Sequence, residues 1–264
     1  MMVSDDYAFR FGGIGRLYGT KSLQTLAASH VAVVGLGGVG SWAAEALARS
    51  GVGTLTLIDY DDICLSNINR QLPATQEQVG KLKIDVLKNR FLSINPELKI
   101  HLKDKGFDPS SCTDLFDGGF NLVVDAIDDL PNKCLLIAEC QKREISLVTT
   151  GGAGGRRDPS LIRIADLSQS FQDPLLARVR KVLRQEYGYS KNEDDLFHVP
   201  TVFSTERPYY PTADGCVVQS SAKDKKPKGP LDCNTGYGTA TFVTGAYGFA
   251  AASVAVQILV DKNS

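Results

Sequence analysis

Three glycines in the run VAVVGLGGVG, Gly35, Gly37 and Gly40, are followed 19 residues later by Asp59, and Asp59 in turn by the run SNINRQ over residues 66–71. Glycines at that spacing serve a phosphate. The first permits a tight turn, the second lets backbone approach an anion, and the third lets a helix pack on its strand. Gly38 belongs to the same loop. An acid about 20 residues further on is placed to hold ribose hydroxyls. The second run is what hydride transfer has no use for. Asn67, Arg70 and Gln71 set two amides and a guanidinium beside the acid, and a planar guanidinium makes paired, charge-assisted bonds to phosphate oxygens. The combination reads as activation of a second molecule with ATP.

The elements that must position these groups follow from the apolar pattern. Residues 30–34 form a short β-branched run ending at Gly35, residues 41–50 have helical composition, and residues 54–59 form a second strand ending on Asp59. An ordinary turn in a parallel sheet would account for the glycines alone, but not for strand, helix and distant acid in that order. Lys83 opens a helix whose apolar residues Ile84, Leu87, Phe91 and Ile94 recur at helical spacing. A lysine in a first turn opposes the helix dipole and hints at an anion; a solvated surface charge is the competing reading. Residues 121–128, NLVVDAID, form an apolar strand with Asp128 at its carboxyl end, where ligands of open α/β sheets bind. A carboxylate facing a triphosphate calls for a cation between them, and magnesium on Asp128 is the economical choice.

Gly35-x-Gly37-x-x-Gly40, Asp59, Asn67-x-x-Arg70-Gln71, Lys83 and Asp128 resemble in order and spacing the adenylating core of the ubiquitin-activating-like enzymes. That superfamily includes the adenylating enzymes of molybdopterin and thiamine synthesis. Within it the chain is most similar to the tRNA threonylcarbamoyladenosine dehydratases, through RFGG and RLYG over residues 10–19, DAIDD over 125–129, SLVTTGGAGG over 146–155, QDPL over 172–175, VFSTE over 202–206 and DCNTGYGTAT over 232–241. The resemblance spans nearly the whole chain. It implies that Asp59 binds the ATP ribose, that Asn67, Arg70, Gln71 and Lys83 bind phosphates, and that Asp128 holds magnesium. It also implies a homodimer in which an N-terminal arginine reaches the partner's phosphates; Arg16 is preferred, with Arg10 as the alternative. The implied reaction is ATP-dependent cyclisation of threonylcarbamoyladenosine in tRNA through an acyl-adenylate. Adenylation of the C-terminus of a ubiquitin-like or sulfur-carrier protein is the alternative. A non-catalytic nucleotide-binding scaffold fits poorly, since it gains nothing from Arg70, Lys83 and Asp128 aimed at one crevice.

The six cysteines include no C-x-x-C pair, so no zinc is expected. They read as reduced cytosolic thiols and point to a cytoplasmic protein. Cys233 could act as a thiol in a sulfur-transfer or cysteine desulfurase system, although a packing role is the simpler reading. A net charge of −1 does not mark a nucleic-acid binder, so contact with tRNA must come from local patches. Arg178, Arg180, Lys181, Arg184 and Lys191 form one, and Lys223, Lys225, Lys226 and Lys228 another.

The predicted fold is a Rossmann-like, doubly wound, mainly parallel α/β sheet with a C-terminal extension, in a single domain over 1–264. Residues 1–29 form an arm, 30–155 the nucleotide-binding core, and 156–264 the tRNA and dimer-interface part. Strands are expected near 30–34, 54–59, 98–103, 121–127 and 146–150, with helices near 38–50, 80–94, 110–117 and 132–143. Beyond residue 155 short strands near 162–164 and 201–204 and a basic helix near 174–187 follow. Residues 239–260 carry no charge, long enough to span a bilayer. A buried helix or dimer interface is the simpler expectation, with peripheral membrane association as the alternative.

Overall fold

A computed structural model describes residues 3–116, 118–192, 194–212, 214–219 and 237–262. Its centre is a seven-stranded sheet of order β3-β2-β1-β4-β5-β7-β6. The strands are β1 (His30–Val34), β2 (Thr54–Ile58), β3 (Lys99–Lys103), β4 (Leu122–Asp125), β5 (Ser146–Thr150), β6 (Ile162–Asp166) and β7 (Pro200–Ser204). All neighbours run parallel except β6, which pairs antiparallel with β7. Chain order reverses across β1 and β4, and such a switch point opens a crevice at the carboxyl ends of the strands.

A parallel sheet covered on both faces needs strands that are apolar at every position, and the two faces here take alternate residues. Val31, Val33, Leu55, Leu57, Leu122 and Val124 join one core, with α4 (Gly40–Arg49), α5 (Lys83–Ile94) and α9 (Thr241–Asp261). Ala32, Val34, Ile58 and Val123 join the other, with α6 (Cys112–Phe116), α7 (Leu130–Lys142) and α8 (Pro174–Glu186). The uncharged C-terminal stretch is α9, mostly buried and packed along α4, with Tyr247, Ala251 and Ala255 fully enclosed. Phe242 and Phe249 remain exposed on it.

The N-terminal arm is helical, as α1 (Asp5–Arg10), α2 (Gly12–Tyr18) and α3 (Thr20–Ala28). Tyr7, Phe11 and Leu23 form a small core of their own, and the Tyr7 hydroxyl donates to the Gly51 carbonyl just before β2. The arm is thereby anchored at the amino ends of the strands.

Two boundaries differ from expectation. β4 stops at Asp125 rather than continuing to residue 127, because Asp125 turns its carboxylate inward and Asp129 already caps α7 by accepting from the Asn132 N–H. Helix α5 begins at Lys83 rather than near 80, because Lys81 N donates back to Gln78 and Leu82 forms an isolated bridge with Asp62. The short strands expected near 162–164 and 201–204, to which the sequence assigned no sheet, are β6 and β7 and prolong the nucleotide-binding sheet. The second basic patch, with Lys223 to Lys228, and Cys233 lie outside the described residues.

Candidate active site

The glycine loop leaves β1 at Gly35, whose φ of 84° is left-handed and costs a glycine nothing. A side chain there would strike the Ala126 carbonyl, so the loop is seated against the segment that leads to Asp128. At Gly40 a Cβ would lie 1.8 Å from the Gly35 carbonyl oxygen, which is why the helix can start so close to its own strand. The Gly37 carbonyl accepts from both the amide and the hydroxyl of Ser41. The α4 N-terminus opens directly beneath.

Asp59 closes the crevice floor. One carboxylate oxygen accepts the Leu36 N–H at 2.6 Å, tying the acid to the glycine loop, and the other accepts the Asp61 N–H at 2.8 Å. Burial holds this carboxyl above the usual aspartate range, against the opposing pull of Lys83 and the two amides. Lys83 is no surface charge. It is 3% exposed, with Nζ 2.6 Å from Asp61 and 3.8 Å from Asp59.

The run at residues 66–71 sits on the other wall. Asn67 is buried, and its side-chain oxygen accepts the Cys64 N–H at 3.0 Å, so one end of this amide closes a local turn. Arg70 is half-buried. Its Nη1 donates to the Ser66 carbonyl at 2.8 Å and the Asn69 side chain at 3.1 Å. Its main-chain carbonyl accepts from Trp42 Nε1 and the Thr244 hydroxyl, which fixes it against Gly38. Gln71 is buried beside Gly37 with Oε1 unpartnered, a polar atom still in need of a donor.

Asp128 is exposed on the loop between β4 and α7. A buried ion pair that the sequence reading did not anticipate supports that loop. Asp125 and Lys133 are both fully buried with 2.9 Å between Oδ2 and Nζ, Thr149 donates to the same oxygen at 2.5 Å, and the two charged residues hold the Ile127 N–H and carbonyl. The one signal in the sequence was a lysine amid the apolar residues of LPNKCLLI. Among the described residues no three His, Cys, Asp or Glu side chains gather as a metal cage. A single exposed carboxylate with open positions suits a hard cation that draws its remaining ligands from phosphate and water.

The glycine loop thus meets Asp59 through Leu36, Gln71 at Gly37 and Arg70 at Gly38, and is seated at Gly35 against the segment that precedes Asp128, with Lys83 beside Asp59. Arg16 does not join them. It is exposed on α2, its guanidinium folded back over Gly12 and Gly13, and Arg10 pairs with Asp6 at 2.7 Å. The five described cysteines are free thiols. Burial pushes Cys134 up to about 11 and Cys140 higher still, as in inert core cysteines.

The sequence profile of the ThiF family matches residues 13–264. The chain is 47% identical over 261 residues to the tRNA threonylcarbamoyladenosine dehydratase of Haemophilus influenzae, covering 98% of this chain and 97% of that one. It is 46% identical over 262 residues to the Escherichia coli K12 enzyme of the same name, covering 99% and 97%. The crystal structure of the E. coli enzyme in complex with ATP superposes with a TM-score of 0.88 at 42% identity, covering 100% of this chain and 98% of that one.

Proposed function

The chain belongs to the ThiF family and, within it, to the tRNA threonylcarbamoyladenosine dehydratases, and from that premise we propose how its crevice performs the ATP-dependent cyclisation of threonylcarbamoyladenosine in tRNA. The observation that carries the proposal is the convergence of the Gly35–Gly40 loop, Asp59, Arg70 and Asp128 at the carboxyl ends of adjacent strands.

Asp59, ionised and fixed by Leu36, accepts from the ribose hydroxyls. The free N–H groups at the start of α4 meet phosphate oxygens. Arg70 exchanges its neutral partners, Ser66 and Asn69, for phosphate, and gains charge-assisted bonds in doing so. Gln71, whose Nε2 lies beside Gly37, turns its amide N–H donors toward phosphate. Lys83, paired with Asp61 at rest, exchanges that carboxylate for phosphate. Magnesium on Asp128, when bound, neutralises charge on the phosphates.

The threonyl carboxylate of the substrate attacks the α-phosphorus. An O–P bond forms, pyrophosphate leaves, and the carboxyl becomes a mixed anhydride with AMP. The ureido group then attacks the activated carbonyl, loses a proton, and expels AMP as the ring closes. Positioning and charge neutralisation suffice for both steps, and no protein nucleophile is required.

The chain acts as a homodimer in this proposal, with Arg16, or Arg10 in its place, completing the partner's site. Anchored at the amino end of the sheet, the arm is poorly placed to serve the crevice of its own chain. β6 and β7 extend the sheet that holds the loop and α9 packs against it, which supports residues 1–264 acting as one functional unit in this proposal.

The test is pyrophosphate release with tRNA carrying or lacking the threonylcarbamoyl group, followed by mass spectrometry of the tRNA nucleosides. Release only from modified tRNA, with loss of one water from the nucleoside, is expected. Equal release from both would remove this carboxylate as nucleophile and favour a carrier-protein substrate.

A further inference from the structure

Arg156 follows the glycine-rich loop after β5 and is 3% exposed. Only Nη2 has an acceptor, the Gln172 carbonyl at 2.9 Å. Nε and Nη1 are buried without any hydrogen-bond partner. A guanidinium does not neutralise itself by losing a proton, so a charge stands in the interior with donors unused. Burying an unpaired charge is costly, and unsatisfied buried groups in native proteins call for a ligand or another specific explanation. The nearby acid does not supply the missing acceptor. Asp173 is buried, but its two oxygens accept the Gly152 N–H at 2.9 Å and the Leu176 N–H at 3.0 Å.

The surroundings connect this charge to the crevice. Tyr237 packs over Gly154 and Gly155, and Gly155 N donates to the Gly238 carbonyl at 2.7 Å. Two residues after Tyr237, the Thr239 carbonyl accepts from the Asn69 side chain at 3.0 Å, inside the run that carries Arg70. Further along, the Thr244 hydroxyl donates to the Arg70 carbonyl, and one helical turn later the Tyr247 hydroxyl donates to the Gly152 carbonyl. A single stretch of chain thus touches both the phosphate wall and the loop of Arg156. Two consecutive residues span at most about 7 Å, so the sites adjoin. The loop of Arg156 leaves β5, which is separated from β2 and its ribose acid by β1 and β4 in the sheet order.

Resting on the function proposed above, we propose that Arg156 receives the threonyl carboxylate of the modified nucleoside and presents it to the α-phosphorus. The chemical class fits. A carboxylate is small, anionic and planar, and offers the acceptors that Nε and Nη1 lack. The Tyr237 ring covers the two glycines that precede Arg156, and its hydroxyl donates to that of Tyr210 at 3.2 Å. Arg156 is then a substrate-binding residue that selects the acid over neutral analogues.

The experiment uses an anticodon stem-loop bearing threonylcarbamoyladenosine as the free acid, and the same stem-loop bearing its carboxamide. Binding is measured without ATP to the full-length wild type, Arg156→Met and Arg156→Lys. The wild type should prefer the acid by about 10- to 100-fold, the range for a charge-assisted hydrogen bond. Arg156→Met should bind acid and amide within threefold of each other, and Arg156→Lys should fall between. ATP affinity, which reports folding, should stay within threefold in all three. A wild-type preference near one overturns the assignment whatever the variants do. So does a preference in Arg156→Lys equal to that of wild type, or one retained in Arg156→Met. Equal weakening of acid and amide in Arg156→Met would mean that the charge meets a backbone phosphate, and would also overturn it. Failure of the function itself shows elsewhere, as pyrophosphate release that ignores the threonylcarbamoyl group in the wild type.

Discussion

Arg70 and Asp128 differ in how much of the molecule depends on them. Arg70 Nη1 bonds only to Ser66 and Asn69, close in sequence, and Asp128 is exposed on its loop, so truncating either leaves the core intact. Arg70→Ala should lower kcat/KM by about 2–4 kcal/mol of transition-state stabilisation, while the melting temperature changes little. Asp128→Ala should abolish ATP turnover, and unchanged turnover at saturating magnesium would remove it from the metal site. Asp59 gives a pH signature. Because burial raises its pKa, the ionised form that accepts from ribose is lost, as pH falls, sooner than for an ordinary aspartate. ATP affinity measured by calorimetry should therefore decline on an acid limb displaced upward, and Asp59→Asn should lack that limb. Stability runs the other way: the contribution of a raised carboxyl is fully present below its unfolded pKa and lost as pH rises through the folded one. At this scale the glycines, Asp59 and the 66–71 run were legible because their spacing follows from phosphate geometry. The resting partners of Lys83, and the unpaired state of Arg156, were not. Both depend on which distant backbone a side chain meets.

The loop carrying Asp128 is only as well placed as the elements that end and begin around it. The Asp125–Lys133 pair joins the last residue of β4 to the first turn of α7, with Thr149 of β5 as a third point. Removing one partner strands a buried charge. Lys133→Met should cost about 3–5 kcal/mol, seen as a lower denaturation midpoint, and the double variant Asp125→Leu/Lys133→Met should regain much of it. If the single and double variants are equally destabilised, the pair does not work through mutual neutralisation. Gly40→Ala would drive a methyl into the Gly35 carbonyl, so the gain of about 1 kcal/mol that alanine brings at an unobstructed helix position should be reversed, seen as a lower denaturation midpoint than wild type. Strand and helix order from residue 30 through residue 150 was readable from period and composition, whereas the three helices of the arm were not expected. The places of β6 and β7 were not, because five-residue strands separated by a long connection carry no mark of the sheet they join. β6 also alternates only weakly, with Arg163 and Ile164 exposed at the sheet edge.

For the molecule as a whole, net charge offers no general attraction to nucleic acid, so binding must be concentrated. If sites are completed across a dimer, mixing an Arg16→Ala chain with an Asp128→Ala chain should restore part of the activity, and no rescue in demonstrably mixed dimers would count against shared sites. The tRNA surface can be argued more finely than composition allowed. The basic helix α8 buries Leu176, Val179 and Leu183, and this splits its cations into two classes. Arg180 donates to the Ser170 hydroxyl, and Arg184 donates to the Ser190 carbonyl with its guanidinium 5.2 Å from the Phe197 ring. Both are turned toward the protein. Arg178 and Lys181, with Lys191 beyond the end of the helix, are exposed and free to meet phosphates. Each phosphate contact contributes about 0.7–0.9 to the log–log slope of affinity against salt. Arg178→Ala/Lys181→Ala should therefore flatten that slope by about 1.4–1.8, weaken tRNA at low salt, and leave ATP affinity unchanged. Arg180→Ala/Arg184→Ala should lower the melting temperature and leave the slope near its original value. A slope that responds to the second pair and not to the first would move the tRNA backbone off the outer face of α8.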